Sequence, residues 1–584
     1  MKYRWTVRTV DDEAAVRRLQ TALNDLPEAL ARALVLRGIE TLDDARHFFR
    51  AGRDDLHDPF LMQDMDRAAD RVAAAIERGE RVLVYGDYDV DGTTATALLT
   101  DFLRHHGADA DYFVPDRYED GYGLGERGID HAAAQGASLL LALDCGITAH
   151  EEAAYARAKG LDVIICDHHT PKATLPEAHA VLNPKRADCA YPFDELSGCG
   201  VGFKLVQATL DRLGKSPDAA FRYLDLLAVS TAADIVPLHG ENRVLLREGL
   251  RVLEERPRLG LRALAAAANF ELRDMTTGDV VFKIGPRINA AGRMAHADKA
   301  VALLLAEDWS EAEPLARKLE QLNQERRAVD HETREAAAKI AERQITARNP
   351  HALVLYRPDW HLGVIGIVAS RIVERFYRPT VMLCRNGTAV KGSARSIDGV
   401  NIYKALSECA DVLTEFGGHD HAAGVSLPEE NVDAFRTRLD AVVGDMVTPE
   451  LLTPAIQVDA ALDLGEIGTV HDRFWAVLKQ FGPFGPANAR PVFHAQDLAV
   501  AGTPRQVGSD GNHLKFAVRQ RERDHPPLDV IGFGMGAMLE TLHRSQREGR
   551  PLELLFSIEA NTWNGRTTLQ LKARDLRLQE GGNG

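Results

Sequence analysis

The feature that most constrains the fold is an alternation of short apolar segments with longer helical segments between residues 81 and 166. The apolar segments have the length of buried strands and lie at 81–85, 110–114, 138–143 and 162–166. The segments between them have helical length and lie at 93–106, 126–135 and 148–159. Strands that alternate with helices in this way form right-handed βαβ units. The sequence therefore predicts an α/β fold built on a parallel sheet.

The first predicted strand runs directly into an acidic turn that contains Asp87, Asp89 and Asp91 between two glycines. Like charges this close repel one another, and burial would raise the pKa of each carboxyl group unless a cation neutralised it. A divalent metal ion is the simplest such cation. The alternative is an acidic surface turn that needs no ligand, and the other strand ends distinguish the two.

Side chains that bind metals also follow the later strands: Asp144 after 138–143, Asp167, His168 and His169 after 162–166, and Asp234 after the apolar run 223–229. The carboxyl ends of parallel strands meet at one edge of a sheet, so we expect these side chains to converge on the acidic turn. A single aspartate there is often only a helix cap, but several metal-binding side chains in one consistent topology predict a metal centre. Carboxylates with one or two imidazoles and no thiolate favour Mn²⁺ or Mg²⁺, and the set is large enough for two ions.

The chain should divide into several domains, because 584 residues exceed what one hydrophobic core supports. We expect an N-terminal helical segment, the α/β domain with the acidic turn, a long connecting helix, a second α/β lobe and a small β-barrel, at residues 1–78, 79–305, 306–347, 348–450 and 455–580. Short alternating strands such as 513–518 and 567–571 indicate the barrel. The long helix would bridge the two α/β parts and leave a cleft between them.

Composition excludes some classes of protein. No apolar run approaches the ~18 residues that a membrane-spanning helix needs, so we expect no membrane association. The six cysteines are scattered without CxxC pairs, which indicates a reduced, cytoplasmic protein and neither a disulfide framework nor a zinc site. The net charge of −16 is neutral to mildly unfavourable for nucleic-acid binding, although it says nothing about local fields.

The acidic motifs, taken in order, resemble the four motifs of the DHH phosphoesterase superfamily. The matching segments are 87–92, 144–146, 167–169 and 233–234, and further matches lie at 196–204, 285–293, 360–371 and 416–424. Within the superfamily, the chain is most similar to the bacterial exonucleases that degrade single-stranded DNA from its 5′ end. The resemblance covers most of the chain. It implies a DHH catalytic domain at 79–305, a DHH-associated substrate-binding domain at 348–450 and an OB fold at 455–580.

The resemblance also implies roles for individual residues. The expected metal ligands are Asp89, Asp91, Asp144, His168 and Asp234, while Asp87 is either a further ligand or a group that supports one. Asp144, His168 and His169 are the expected catalytic residues, and His169 would orient or bind the scissile phosphate. The chain departs from the family pattern at Cys199, Gly202 and Leu362, which affects local packing and removes no ligand.

Small-residue segments at 392–396 and 417–419 are predicted turns that carry an arginine or a histidine. Backbone N–H groups in such turns form anion sites, and arginine adds bidentate recognition of phosphate. The family uses these turns for nucleotide phosphates, so we expect Ser393, Arg395 and His419 to face the substrate. The alternative for the glycines is a plain turn.

Cations and an aromatic ring from the first lobe complete the predicted substrate site. Arg287 or Arg293 would approach the phosphate from the side opposite the second lobe. Arg117 and Tyr122 would lie at the mouth of the site, where the tyrosine could stack on a base. The alternative for each arginine is an ordinary surface ion pair.

Together these features predict a 5′→3′ exonuclease that releases 5′-mononucleotides from single-stranded DNA with Mn²⁺ or Mg²⁺. It would act in DNA repair and recombination as a monomer, and the family implies single-strand-binding protein and a helicase as partners. Two alternatives stay open: a DHH phosphodiesterase for short oligonucleotides or cyclic dinucleotides, and a catalytically silent replication scaffold. The OB-like region argues against the first, and the presence of every expected carboxylate and histidine argues against the second.

Overall fold

A computed structural model of the chain describes residues 3–563 and 565–579. Residues 1–2 of the predicted N-terminal segment and Glu580, the last residue of the predicted barrel, lie outside the described residues. The chain forms two compact units. The terminal unit combines Met1–Ala51 with Thr453–Phe484 and Asn488–Gly584, and the central unit combines Gly52–Leu452 with Gly485–Ala487.

The predicted N-terminal segment 1–78 is divided between the two units and is not wholly helical. It contains β1 (Arg4–Val7), α1 (Glu13–Ala22), α2 (Glu28–Val35), α3 (Leu42–Arg50) and α4 (Met65–Arg78). In the terminal unit, β1 pairs in parallel with Ala455–Val458, and the buried side chains of Leu19 and Leu30 share a core with the barrel. Helix α4 belongs to the central unit, where Val72 is part of the core. The amphipathic pattern predicts which helix faces are buried, but it does not predict which core receives them.

The predicted parallel sheet is confirmed, and it organises the first part of the central unit. Its elements are β2 (Arg81–Gly86), α5 (Val90–His105), β3 (Asp109–Phe113), α6 (Glu126–Ala134), β4 (Leu139–Leu143), α7 (His150–Ala158), β5 (Asp162–Cys166) and β6 (Ala180–Leu182). The strand order is β3-β2-β4-β5-β6, and every neighbouring pair is parallel. Leu140 of β4 lies beside Leu83 of β2 and Val163 of β5, and these side chains belong to the core on one face. Both faces are buried, as an apolar parallel sheet requires.

Helices cover the other face of this sheet and carry part of the site. They are α8 (Gly198–Arg212), α9 (Leu224–Ala233), α10 (Gly240–Glu255), α11 (Leu259–Ala267), α12 (Thr277–Asp279), α13 (Gly285–Met294) and α14 (Asp298–Leu305), with a π-helical turn at Val280–Ile284. The side chains of α8 and α9 are almost entirely buried. A helix that is apolar on all sides lies inside a core, and α8 and α9 share theirs with one face of the sheet.

A long helix, α15 (Trp309–Arg348), links the two lobes of the central unit. Its 40 residues span about 60 Å at 1.5 Å per residue. Asp308 caps its first turn by accepting a hydrogen bond from the Glu311 amide at 3.0 Å. Its first half packs against α11, α13 and α14, and its second half packs against the second lobe.

The second lobe is a mixed α/β domain. Its elements are β7 (Leu353–Tyr356), α16 (Leu362–Phe376), β8 (Thr380–Asn386), β9 (Ala389–Arg395), α17 (Ile402–Ser407), β10 (Glu415–Gly418), β11 (Ala422–Leu427) and α18 (Val432–Met446). The strand order is β10-β11-β9-β8-β7, and only the β7–β8 pair is parallel among the described strands of this sheet.

The predicted turns at 392–396 and 417–419 are wrong, because these glycines lie mainly in strands. Gly392 is in β9, and Gly417 and Gly418 are in β10. A Cβ atom on Gly392 would lie 2.8 Å from the Met382 carbonyl oxygen. Gly392 therefore allows close packing within the sheet. From the sequence alone, a glycine needed for close packing cannot be distinguished from a glycine in a turn.

The barrel of the terminal unit is closed, as predicted for an OB fold. Its elements, in chain order, are β12 (Ala455–Val458), β13 (Ala460–Ala461), α19 (Arg473–Gln480), β14 (Phe493–Val507), β15 (His513–Gln520), β16 (Leu528–Gly532), α20 (Leu539–Glu548), β17 (Leu552–Trp563) and β18 (Arg566–Leu578). The strand order is β13-β14-β15-β16-β18-β17, and pairing of β14 with β17 closes the ring. Among the described residues, no helix is both long enough and apolar enough to cross a membrane.

A buried ion pair fixes α8 to α10. Lys204 is fully buried, and its ammonium group donates to the Glu241 carboxylate at 2.7 Å and to the His57 carbonyl at 2.9 Å. The hydroxyl of Tyr191 donates to the other Glu241 oxygen at 2.6 Å. Glu241 is therefore held by donors on both oxygens, and it depends on them because it is 2% exposed.

We predict that Lys204→Met lowers the free energy of unfolding by about 3–5 kcal/mol, because a buried carboxylate would lose its cation. The double variant Lys204→Met/Glu241→Leu should recover most of that loss, since it removes both charges. Thermal unfolding of the variants measures this, with Lys391→Met as the control for an exposed lysine. A Lys204→Met protein as stable as the parent would contradict the prediction.

Candidate metal centre

The structure brings the predicted metal-binding side chains together at the carboxyl edge of the parallel sheet. Ligand atoms lie within 4.8 Å of one another in three groups: Asp144, His168 and His169; Asp91, His168 and Asp234; and Asp87, Asp89 and Asp144. Asp144 and His168 each belong to two groups. The convergence follows from the topology, since the ends of β2, β4 and β5 are neighbours in the sheet.

Several polar atoms at the centre of this cluster are buried and have no hydrogen-bond partner among the described residues. These atoms are Asp87 Oδ1, Asp144 Oδ1, His168 Nε2 and Asp234 Oδ2. His168 Nε2 lies 3.2 Å from Asp144 Oδ1, 3.6 Å from Asp234 Oδ2 and 3.8 Å from Asp91 Oδ2. Unpartnered buried acceptors are costly, and a bound cation would satisfy several at once. The donor set therefore fits a divalent metal ion.

The electrostatics of the cluster lead to the same conclusion. Burial raises the pKa values of Asp87, Asp144 and Asp234 well above the ordinary range, and the neighbouring carboxylates raise them further. Burial also lowers the pKa of His168, so its ring is neutral and can offer a nitrogen lone pair. A divalent ion would reverse these effects by favouring the ionised carboxylates.

Close backbone contacts hold the acidic groups in place. A Cβ atom on Gly92 would lie 2.6 Å from Asp87 Cα, so glycine is needed for the first turn of α5 to pack on the acidic residues. Asp144 adopts a left-handed backbone conformation with φ of 59°. A non-glycine residue in this region is strained, and such strain is concentrated at functional sites.

Asp89 and Asp91 each have a second role besides any role as ligand. Asp89 caps α5, and its Oδ1 accepts from the amides of Asp91 and Gly92 at 2.9 and 3.1 Å. Asp91 accepts from the amides of Gly198 and Cys199 at 2.6 and 2.9 Å, at the N-terminus of α8. The positive end of this helix dipole therefore faces a carboxylate.

Asp167 holds the two-histidine turn that follows β5. Its Oδ1 accepts from the backbone amides of His168 and His169, at 2.7 and 3.0 Å, and from His169 Nδ1 at 2.7 Å. Burial lowers the pKa of His169, but the hydrogen bond and charge of Asp167 outweigh it and raise the pKa overall. The His169 ring is therefore orientated by Asp167 and can carry a proton near neutral pH.

Three of the predicted substrate residues lie around the metal cluster. The Arg117 guanidinium lies 4.1 Å from the centre of the Tyr88 ring. Burial raises the pKa values of Asp87 and Asp89, and the Arg117 charge offsets part of that rise. The Tyr122 hydroxyl lies 3.2 Å from His169 Nδ1. Burial and the nearby charges of other arginines lower the pKa of Arg293 to about 10, and this side chain donates to the Gly363 carbonyl at 3.0 Å.

In the second lobe, Ser393 and Arg395 form a pair on β9. Arg395 donates to the Ser393 hydroxyl at 2.8 Å, and burial lowers the pKa of Arg395. A Cβ atom on Gly366, in the first turns of α16, would lie 3.0 Å from Ser393 Oγ and 3.2 Å from Arg395 Nη2. The Ser393 hydroxyl and the Arg395 guanidinium therefore pack closely against the second turn of α16.

Two predicted substrate residues lie neither beside the metal cluster nor in the Ser393–Arg395 pair. Arg287 donates to Glu320 of α15 at 2.6 Å and to the Lys283 carbonyl at 2.5 Å, so its charge is neutralised within its own lobe. The exposed His419 shares an end of the sheet with Arg395, because its amide donates to Ala422, which lies opposite Arg395. In the described parts of the chain, no contact joins the His419 side chain to the metal cluster.

Sequence reasoning missed two polar residues beside the cluster. The Asn289 side chain accepts a hydrogen bond from the Val90 amide at 3.0 Å and so holds the acidic turn. The Lys185 charge acts on His168 and Asp234. Lys185 follows a short loop in which Asn183 donates to the His169 carbonyl at 2.9 Å. Asn289 could have been predicted from the sequence, because it lies between Arg287 and Arg293 in the matching segment 285–293.

Family models match separate parts of the chain. The N-terminal domain of the DHH family matches residues 81–231, the DHHA1 domain matches 349–445, and the RecJ OB domain matches 458–575. These ranges contain the parallel sheet, the second lobe and the barrel. The superfamily indicated by the acidic motifs is thereby confirmed.

Named proteins are similar to nearly the whole chain. The Bacillus subtilis (strain 168) single-stranded-DNA-specific exonuclease RecJ is 39% identical over 582 residues, which cover 99% of this chain and 71% of that protein. The Escherichia coli (strain K12) protein of the same name is 34% identical, over 94% of this chain and 95% of that protein. The chain belongs to the RecJ family. The crystal structure of RecJ from Thermus thermophilus in complex with Mn²⁺ matches with a TM-score of 0.80 and 31% identity, over 99% of this chain and 80% of that chain.

We predict that the metal-free RecJ-family protein loses stability as pH rises from about 4 to 8. Asp87, Asp144 and Asp234 have raised pKa values in the folded state, so protonation favours folding at low pH, and this contribution is lost as pH rises through the raised values. The raised pKa of His169 acts in the same direction, whereas the lowered pKa of His168 acts against it. The lowered pKa of Asp167 changes the stability only below about pH 4, outside the range of this prediction.

Saturating Mn²⁺ should remove most of this pH dependence, and an ion at a hundred times its Kd adds about 2.7 kcal/mol of stability. Unfolding temperatures measured from pH 4 to 8, with EDTA and with Mn²⁺, test the prediction. An identical pH profile in the two conditions would show that the cluster does not bind the ion.

Proposed function

We propose that this chain is a single-stranded-DNA-specific exonuclease that hydrolyses phosphodiester bonds with two Mn²⁺ or Mg²⁺ ions. The observation that carries the proposal is the set of unpartnered ligand atoms shared between neighbouring groups through Asp144 and His168. Carboxylate and imidazole ligands without thiolate suit these ions. The names of the RecJ relatives and the Mn²⁺ complex of the T. thermophilus protein support the same chemistry.

The chain's own residues divide the work of hydrolysis. The metals would be held by Asp87, Asp89, Asp91, Asp144, His168 and Asp234. When bound, such ions activate a water molecule and stabilise the leaving oxygen. His169 binds the scissile phosphate, because its raised pKa keeps a donor available beside the ligands. Tyr122 stacks on a base or fixes the His169 ring from the solvent side.

The direction of cleavage follows from a second phosphate site. Ser393, Arg395 and the start of α16 bind the terminal 5′-phosphate, while Arg117 and Arg293 provide positive charge beside the metal ligands. A strand anchored by its 5′-phosphate presents a nearby ester to the metals, so hydrolysis releases 5′-mononucleotides in the 5′→3′ direction. Arg287 is not needed in this arrangement, since Glu320 already neutralises it.

We propose the cellular role and the partners of this protein from its resemblance to the family. The protein acts on DNA with a 5′ end during repair and recombination in the cytoplasm, as a monomer, with single-strand-binding protein and a helicase as partners. A DHH enzyme for short oligonucleotides or cyclic dinucleotides would not need a RecJ OB domain, and that domain matches residues 458–575. A catalytically silent scaffold would not retain the complete set of ligands.

Digestion of single strands labelled at the 5′ or the 3′ end, with Mn²⁺, tests the function. We expect the 5′ label to be released first, as a mononucleotide, and duplex DNA to resist. Asp144→Asn keeps a side chain that tolerates the left-handed backbone, and it should lower the rate by more than the roughly 10–100-fold typical of residues that only support a ligand. It should bind the strand normally in Ca²⁺. Earlier loss of the 3′ label, or no digestion at all, would refute the proposal.

We predict that Arg395→Met removes the preference for a 5′-phosphate. A hydrogen bond to a charged group contributes about 1.5–3 kcal/mol, so kcat/KM for a 5′-phosphorylated strand should fall roughly 10- to 100-fold. Activity on a 5′-hydroxyl strand should change little. Arg385→Met is the matched control, because Arg385 lies in the same lobe and is half exposed in an ion pair with Glu429. Equal losses of kcat/KM on the two strands would contradict the prediction, and would show that Arg395 contributes to DNA binding without regard to the 5′-phosphate, or to folding.

A further inference from the structure

Two buried serines connect the metal ligand Asp91 to the helices behind it. Ser230 Oγ lies 2.5 Å from Asp91 Oδ1, and Ser197 Oγ lies 2.7 Å from Ser230 Oγ. The Gly200 amide donates to Ser197 Oγ at 3.1 Å. Ser197, Ser230 and Asp91 are each 0% exposed, so no solvent competes for these hydrogen bonds.

The number of available hydrogen atoms determines which group donates in each of these hydrogen bonds. An ionised carboxylate can only accept, so the single hydroxyl hydrogen of Ser230 is donated to Asp91. Ser230 has no second hydrogen, and therefore Ser197 must donate to it. Ser197 in turn accepts from the Gly200 amide. We call this ordered chain, from Gly200 through Ser197 and Ser230 to Asp91, the serine relay.

The serine relay limits how Asp91 can bind a metal ion. Each carboxylate oxygen has about two lone-pair sites. Asp91 Oδ1 accepts from Ser230 and from the Cys199 amide, which fills both of its sites. Among the described residues, Asp91 Oδ2 accepts only from the Gly198 amide, at 2.6 Å, and it lies 3.8 Å from His168 Nε2. One lone pair, on Oδ2, remains directed toward the cluster.

The relay also connects three ligand-bearing elements. Ser197 caps α8, whose first residue, Gly198, touches Asp144; a Cβ atom on Gly198 would lie 2.7 Å from Asp144 Cβ. Ser230 is in α9, one helical turn before Asp234. A change at Ser230 therefore acts on Asp91 directly and on Asp234 through its helix.

We propose that Ser230, orientated by Ser197, is a positioning residue that restricts Asp91 to one-oxygen metal binding and thereby favours Mn²⁺ and Mg²⁺ over Ca²⁺. Ca²⁺ accepts two-oxygen carboxylate ligands in flexible geometry, whereas Mg²⁺ requires nearly ideal octahedral geometry at 2.0–2.1 Å. Mn²⁺ uses octahedral oxygen sites of the same type. The proposal rests on the proposed function only in assuming that Asp91 is a metal ligand.

The test is calorimetric titration of the DNA-free protein with Mn²⁺ and, separately, with Ca²⁺. Ser230→Ala frees Asp91 Oδ1, so the ratio of Mn²⁺ affinity to Ca²⁺ affinity should fall by about tenfold, within the roughly 10–100-fold range for lost support of a ligand. Thr231→Val is the matched control, because the neighbouring Thr231 hydroxyl is buried and has no hydrogen-bond partner among the described residues. It should leave the ratio unchanged.

Ser197→Ala keeps the proposal testable if Ser230→Ala does not fold. It should shift the ratio in the same direction by a smaller factor, and the double variant should match Ser230→Ala alone, because the two hydroxyls act in series. An unchanged ratio in Ser230→Ala, an equal fall in Thr231→Val, or additive effects of the two serines would overturn the relay. Absence of Mn²⁺ binding by the parent protein would overturn the proposed function as well, whereas normal binding with an unchanged ratio would overturn only the relay.

Discussion

The mutual repulsion of carboxylates at one edge of a parallel sheet is the constraint on which the rest of the structure depends. The sheet topology brings Asp87, Asp144 and their neighbours within a few ångströms, and burial makes their charges more costly. The surrounding structure supplies donors to the outer side of this cluster. The α8 N-terminus faces Asp91, and Asn289 holds the Val90 amide. The inner lone pairs are left for metal ions.

Helix α13 connects this cluster to the second lobe. Asn289 binds the acidic turn, and a Cβ atom on Gly292 would lie 2.6 Å from the Tyr88 carbonyl oxygen. At the other end of α13, Arg293 donates to Gly363 of α16, and its carbonyl accepts from the Tyr118 hydroxyl at 2.6 Å. One short helix therefore contacts the acidic turn, Tyr118 and the start of α16.

Periodicity in the sequence predicts the parts of this structure in which the conformation of a residue depends on residues close to it in sequence. The strands from β2 to β5 and their helices are of this type, and the convergence of Asp144, His168 and Asp234 follows from topology alone. Periodicity fails where a partner is remote in sequence. It does not show that Glu320 neutralises Arg287, or that Gly392 lies inside a strand because the Met382 backbone is close. The serine relay is hidden for the same reason, since its two hydroxyls are 33 positions apart.

The terminal unit is assembled from the two ends of the chain, which bears on how the protein is synthesised. Strand β1 and the apolar faces of α1 and α2 are synthesised before the central unit, and β12 and the barrel core that pack with them follow about 450 residues later. At roughly 5–20 residues per second, that interval lasts about 20 to 90 seconds. During this time the apolar faces of α1 and α2 have no barrel core to pack against. The core that these two helices share with the barrel therefore forms only after the barrel strands have been made.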